Sequence, residues 1–400
     1  MRRGTGLIAA LITIAMLRVI RGRLWPRQDA RRATMAAPAP DQPARRIVVV
    51  GIGFAGLAAL GRLKQLVGGD AQTEVLAVDR RNYHLFTPLL YQVATGGVEP
   101  GLIAYPARRI ARDHRIRFME AVVDGVDLAR HQLDTDAGPI AYDALILAPG
   151  SVPNFFGMAD AEQYALPLKW IRDGMRIHDR VINAFEQADR ETDRDRRQML
   201  LTFVIVGGGA TGVELAASLS DLVTTLLPHY PSIRSEEVHL LLIEARDALL
   251  PGWNPRMGER AARQLLRHRI ELLLGTMVSR VTDAAIETAA GQRIPTATVI
   301  WTAGVRPEPL VDLLPGPKLR DGRVRVDRYL ALPGHPGVFI AGDAAAMILP
   351  TMDHPLPPTA RAAIESGRAA AENAVRYLAG RPLRPFEYRA PGELVSLGRG

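Results

Sequence analysis

The sequence predicts an α/β protein with two Rossmann-like dinucleotide-binding domains, one inserted into the other, and three observations carry that reading. At Arg45 an apolar, β-branched run leads directly into a glycine-rich turn and a helix pattern. The same device recurs at Leu200, and an apolar strand, VFIAGDAAA, returns after the second unit is finished. Strand, turn and helix in that order are the opening of a βαβ unit, and two such units in one chain imply two nucleotides held face to face.

The first unit is RRIVVVGIGFAGLAALGRLKQL. Its strand is apolar throughout, as one buried on both faces of a parallel sheet should be. Gly51 permits the tight turn, Gly53 lets the backbone approach a pyrophosphate, and Gly56 lets helix and strand pack closely. Phe54 and Ala55 open the helix, whose free N–H groups and dipole favour an anion. A second strand, EVLAVD, ends in Asp79, a carboxylate placed to accept adenosine ribose hydroxyls, with Arg80 beside it. A bare helix-packing turn is the plainer alternative, but the acid at the end of the next strand favours the nucleotide.

The second unit, LLTFVIVGGGATGVELAASLSDL, places Gly207, Gly208, Gly209, Ala210, Thr211 and Gly212 between strand and helix. Its acid is Glu244, farther downstream because TTLLPHYPSIRSEE lengthens the crossover. A carboxylate there favours NADH over NADPH, while Arg246 two residues on weakens that preference. Two facing dinucleotides are the arrangement for electron transfer between a nicotinamide and a flavin, so FAD is expected in the first unit and NADH in the second. MGERAARQLLRHR reads as a helix, and ELLLGTMVSRVTDAAIETAAG as short strands or a hairpin ending at Gly291. IWTAGV is a buried strand that brings Ala303 and Gly304 against the nicotinamide. YDALILAPG ends in a turn at Ala148 and Gly150, small enough for a cofactor to approach, or is an ordinary strand end. VFIAGDAAA closes on Gly342 and Asp343, whose carboxylate would accept from ribityl or pyrophosphate-side groups of FAD. The expected division is residues 1–44 as an apolar, basic segment and linker, 45–199 and 321–400 as the two parts of the FAD domain, and 200–320 as the NADH domain.

Composition narrows the function. At 400 residues, 48% hydrophobic and 23% charged, the chain is an ordinary folded globular protein. The net charge of +8 comes from scattered arginine, without aromatic interleaving or a nucleic-acid module, so no nucleic acid is expected as a partner. There is no cysteine, which excludes disulfides, a thiolate metal site and a redox-active cysteine pair, and no metal is expected. Residues 4–17, GTGLIAALITIAML, are free of charge and flanked by arginines. At roughly 1.5 Å per residue they reach about 21 Å, short of the ~30 Å hydrocarbon core. They read as a membrane-dipping helix, an h-region, or residues upstream of a true start at Met35.

The stretch after Asp79 makes a resemblance specific. Asn82-Tyr83-His84-Leu85-Phe86, Pro88-Leu89-Leu90-Tyr91-Gln92-Val93-Ala94, Pro106-Ala107-Arg108, YDALILAPGSVPNFFG, GGGATGVELA, IWTAGVRP, GVFIAGDAAA and PPTARAAIESG together resemble the type II NADH dehydrogenases. These are single-chain flavoprotein NADH:quinone oxidoreductases of the membrane surface, and the resemblance spans Arg45 to Gly400. It implies FAD, NADH, a quinone acceptor and no proton pumping. It also implies FAD contacts at Pro88, Gln92, Val123 and Ala360, and nicotinamide positioning with a proton role for Glu214, whose plain alternative is a solvated or helix-capping carboxylate. Glutathione-reductase-like and sulfide:quinone relatives work through cysteines, and that route is closed here.

Two departures stand out. Arg361 and Glu365 replace the two glutamines that the family places near the quinone. Four apart on one helix face they could neutralise each other, or Arg361 could donate to a quinone carbonyl and act in catalysis with Glu365. The chain also stops at GELVSLGRG, where relatives continue into an amphipathic region, so it reads as truncated. The expected location is the cytoplasmic face of the cell membrane, peripheral or anchored through the N-terminal run, with a homodimer left open. An NADH oxidase, a reductase of a small redox carrier, and a low-turnover flavoprotein with a binding role remain as alternatives.

Overall fold

The computed structural model describes residues 45–389, 392 and 394–398. The apolar run 4–17 and Met35 lie outside these residues.

Two five-stranded parallel sheets organise the molecule. The first contains β1 (Arg45–Val50), β2 (Thr73–Asp79), β3 (Arg117–Glu120) and β4 (Ala144–Leu147), with α1 (Phe54–Val67) crossing from β1 to β2. The second contains β5 (Leu166–Pro167), β6 (Thr202–Val206), β7 (His239–Ile243), β8 (Ile270–Leu273) and β9 (Thr298–Trp301). Here α2 (Ile171–Arg190) follows β5, α3 (Ala210–Leu226) links β6 to β7, and α4 (Pro255–Arg267) precedes β8. The chain then returns to the first sheet as β10 (Val338–Ile340), and α5 (Ala360–Leu378) is the last helix among the described residues.

Strand order is β10-β4-β1-β2-β3 in one sheet and β5-β9-β6-β7-β8 in the other. In both, the glycine turn leaves the central strand, where the order reverses, and a crevice opens at the carboxyl ends of the strands. Ile47 pairs with Val75 on one edge and Ala144 on the other, and the successive residues Ile47 to Val50 are all buried, so β1 is covered on both faces, as its unbroken apolar run requires.

Helix α1 buries Leu57, Leu60 and Leu63 against this sheet, each contributing about 1.5–3 kcal/mol. It ends where Gly68 N–H returns to Lys64 O. Helix α5 starts at Thr359, whose hydroxyl accepts from Ala362 N–H at 3.2 Å, and it packs across α1. The second core gathers Phe185 of α2, Phe203 of β6 and Leu219 of α3. Helix α3 is apolar and long enough to suggest a membrane span, yet Val213, Leu215, Ala216 and Leu219 are fully buried, so it is a core helix.

The second sheet begins earlier than the expected boundary at residue 200. Leu166–Pro167 already pairs in parallel with Ile300–Trp301, and α2 packs into the second core. A two-residue edge strand has too little pattern to show in a sequence. The two passages between the halves run side by side, Ser151–Pro153 pairing antiparallel with Val305–Pro307.

Candidate active site

The two glycine turns are built alike. Gly51 has φ +91° and Gly207 φ +112°, both in the region that favours glycine. A Cβ on Gly51 would lie 2.2 Å from Ala148 O, and one on Gly207 2.7 Å from Ala303 Cα. Each turn is clamped by the acid from the next strand. Asp79 Oδ2 accepts from Ile52 N–H at 2.8 Å and Oδ1 from Arg81 N–H at 2.8 Å. Glu244 Oε2 accepts from Gly208 N–H at 2.6 Å and Oε1 from Arg246 N–H at 2.9 Å. Each carboxylate oxygen keeps a further lone pair for a ribose hydroxyl. Burial pushes the Asp79 carboxyl up from its ordinary value, against the pull of the two amides.

The first turn and the start of α3, which follows the second turn, open on one shared cleft of about 570 Å³, the size of a cofactor pocket; Gly207, Gly208, Gly209 and Glu244 are not in its lining. From the first turn it is lined by Gly51, Gly53, Phe54 and Ala55, from the second by Ala210, Thr211 and Glu214. Ala148, Gly150, Gly304, Gly342, Asp343 and Ala360 close around it, with Pro88 on the side of the aromatic segment. A smaller cavity of about 210 Å³ continues past Asp79, Arg80 and Val123. Arg80 reaches across it to form an ion pair with buried Glu308.

This arrangement fits FAD. A Cβ added to Gly53 would meet nothing within 4 Å, and no side chain caps the N-terminus of α1, so the helix end is free for a pyrophosphate. Asp79 and the smaller cavity provide for an adenosine, and Asp343 also lines the large cleft. The same two features recur at Gly209 and the uncapped N-terminus of α3, which fit a second dinucleotide.

Glu214, half-buried in α3, lines the shared cleft and accepts from Ser396 N–H at 3.0 Å. Burial pushes its carboxyl up to about 7, with the Ser396 amide pulling the other way. Leu394 also lines the cleft, while Val395 and Leu397 pack on the second core.

The comparisons agree with this geometry. The chain matches the family described as pyridine nucleotide-disulphide oxidoreductase over residues 45–367. It is 35% identical over 380 residues to a type II NADH:quinone oxidoreductase of Mycobacterium tuberculosis, covering 90% of this chain and 80% of the relative. The chain belongs to this family. A type II NADH:quinone oxidoreductase of Staphylococcus saprophyticus is 26% identical, over 89% of this chain and 88% of its own. The fold is also that of NDH2 from Plasmodium falciparum, solved in complex with NADH, with a TM-score of 0.78 at 17% identity over 89% of this chain and 88% of that one. Within the broad family this chain is a flavin oxidoreductase of the type II NADH:quinone class, with FAD and NADH as its cofactors. Having no cysteine, it has no part in the disulphide chemistry of the family's description.

Not every expected residue reaches the cleft. Gly56, Gly212 and Ala303 lie behind the turns as packing positions, and a Cβ at Gly56 would sit 1.7 Å from Gly51 O. Gln92 bonds Tyr91 Oη at 3.1 Å, and its side chain does not line either cavity. Arg361 and Glu365, expected in catalysis, are also outside the lining. They form an ion pair at 2.8 Å, and Glu365 takes Arg368 at 3.3 Å as well, so the self-neutralising arrangement is the one observed.

Several residues in and around the cleft carried no signal in isolation. His84 is fully buried, its Nδ1 2.7 Å from Ile52 O and its ring edge-on to Phe54, so the aromatic segment props the first turn. Burial pushes the imidazole pKa down, which keeps the ring neutral. Ser151, Lys169 and Trp170 line the cleft beside Asp343, and Arg81 lies 3.4 Å over the Trp170 ring. They arrive from separate segments, and of Ser151, Lys169 and Trp170 only Ser151 falls in a stretch that the resemblance singled out.

Proposed function

We propose that the first turn, Asp79 and Asp343 hold FAD, and that the second turn and Glu244 hold NADH. Nicotinamide and flavin would then meet in the shared cleft, and a quinone would take the electrons at the cytoplasmic face of the membrane. The observation that supports this most is the common cleft: the first turn and the start of the helix after the second, from different halves of the chain, line one continuous space. When bound, the flavin accepts a hydride from NADH and releases electrons to the acceptor.

The chain's own residues bind, orient and protonate. Glu244 favours two free ribose hydroxyls and repels a 2′-phosphate, which selects NADH. Gly304 and Ala210 leave room for a flat ring against the cleft wall. Glu214 keeps its proton up to about pH 7 and is the group in the cleft suited to deliver it as the acceptor is reduced. Trp301, itself buried, supplies apolar wall that keeps water from the transfer.

Anaerobic titration of purified protein with NADH, then with a short-chain quinone, tests the reading. The yellow colour should bleach with the first and return with the second. Equal NADH turnover in air with and without quinone would instead mark an oxidase.

A further inference from the structure

We infer that Lys169 supplies the buried positive charge that holds reduced, anionic FAD in this cleft, acting with Ser151 and Asp343 as a charge-setting unit. The inference rests on the assignment of FAD to the first turn and Asp343.

The chain uses arginine almost everywhere. Of fifty Lys and Arg residues, only Lys64, Lys169 and Lys318 are lysine. Lys64 and Lys318 cap backbone carbonyls, Asp113 O at 2.6 Å and Leu314 O at 2.9 Å. Lys169 differs in lining the cleft, where its side chain is only 20% exposed.

Its backbone is fixed from both sides. Strand β5 ends two residues earlier, and the Asp173 carboxylate accepts from Lys169 N–H at 3.0 Å and Trp170 N–H at 2.7 Å, capping α2. Its ammonium donates to Ser151 Oγ at 2.7 Å, and Ser151 Oγ donates to Asp343 Oδ2 at 2.5 Å. The direct distance from Nζ to Asp343 is 3.9 Å. An ammonium has three N–H bonds, and among the described residues one is used in a hydrogen bond. Two donors and a charge shared with a single carboxylate are therefore available to an occupant of the cleft.

A buried cation costs desolvation, and burial indeed pulls the Lys169 pKa down while Asp343 opposes it and Arg81 adds to it. Such a cost is offset when the occupant becomes negative. Two-electron reduction places negative charge on the flavin ring near neutral pH, and a preorganised cation stabilises that state over the neutral oxidised one. A compact ammonium suits the narrow Ser151–Asp343 corner, where a guanidinium fork would need a wider set of acceptors.

The test reads the flavin's redox equilibrium rather than turnover. Unchanged protein, Lys169→Gln and Lys169→Arg are loaded with FAD, checked for FAD content, and equilibrated anaerobically with a reference dye. Lys169→Gln should shift the flavin–dye equilibrium about tenfold or more toward oxidised flavin, as loss of a neighbouring charge does for an ionisation. Lys169→Arg should fall between the two. An FAD-loaded Lys169→Gln with an unshifted equilibrium overturns the inference. So does loss of FAD from both variants, which would make the side chain a packing element rather than a charge. If the unchanged protein takes up no FAD, the site assignment fails first and separately.

Discussion

Glu214 and Glu244 show how one side-chain type serves two ends through its surroundings. Glu244 has both oxygens on backbone amides, whereas Glu214 has one amide and a mostly buried setting. Because the native Glu214 pKa of about 7 lies above its ordinary 4.5, the folded protein binds the extra proton between those values, and stability falls as pH rises through that window. Glu214→Gln should therefore gain stability relative to the unchanged chain at pH 8 but not at pH 4, read by denaturant midpoints. Flavin reoxidation by quinone should lose its step near pH 7 in the same variant, read by stopped flow. Glu244→Ala should weaken NADH about 10–100-fold, the worth of hydrogen bonds to a charged group, with FAD binding nearly unchanged. Equal loss of both would show the two turns to be assigned the wrong way round.

At the level of elements, α1 and α5 depend on one close approach. A Cβ on Gly367 would fall 2.0 Å from Ala55 O, at the start of α1 and beside Gly342, whose N–H donates to Ser366 Oγ at 3.0 Å. Backbone cannot yield there as a flexible side chain could, so Gly367→Ala should cost about 1–3 kcal/mol. It should also release flavin earlier on heating, followed by the rise in flavin fluorescence. The Arg361–Glu365 pair lies on the same helix but is partly exposed, and replacing both residues by glutamine should change stability by less than ~1 kcal/mol in thermal melts. The long elements β1, α1, β6 and α3 were legible because their patterns run over many residues. Strand β5 and the Lys169 turn were not, since two residues show no period and the turn's shape comes from Asp173 and the neighbouring sheet.

In the whole molecule the cleft is a shared boundary, and its contents tie the halves together. Gly53, Asp79 and Asp343 come from the first half, Ala210 and Glu214 from the second, and the paired passages Ser151–Pro153 and Val305–Pro307 join them. A ligand bound to the folded state alone stabilises by about 4 kcal/mol at a thousand times its Kd. Removal of FAD should accordingly lower the melting temperature by several degrees, and readdition should restore it in differential scanning fluorimetry. NADH should raise it further only when FAD is present, if the two rings share the cleft as proposed.

Local pattern was enough for both glycine turns, the two acids that clamp them, the insertion of one α/β unit in another and the closing of any thiol route. Each of these follows from short-range chemistry: apolar runs, glycines at fixed spacing, and a count of cysteine. Folding in three dimensions settled which residues meet. It put Glu214 against Ser396, drew Lys169 to Ser151 and Asp343, and turned Arg361 and Glu365 toward each other instead of into the cleft. Those outcomes depend on sheet order and helix packing between segments far apart in the chain, which no local pattern encodes.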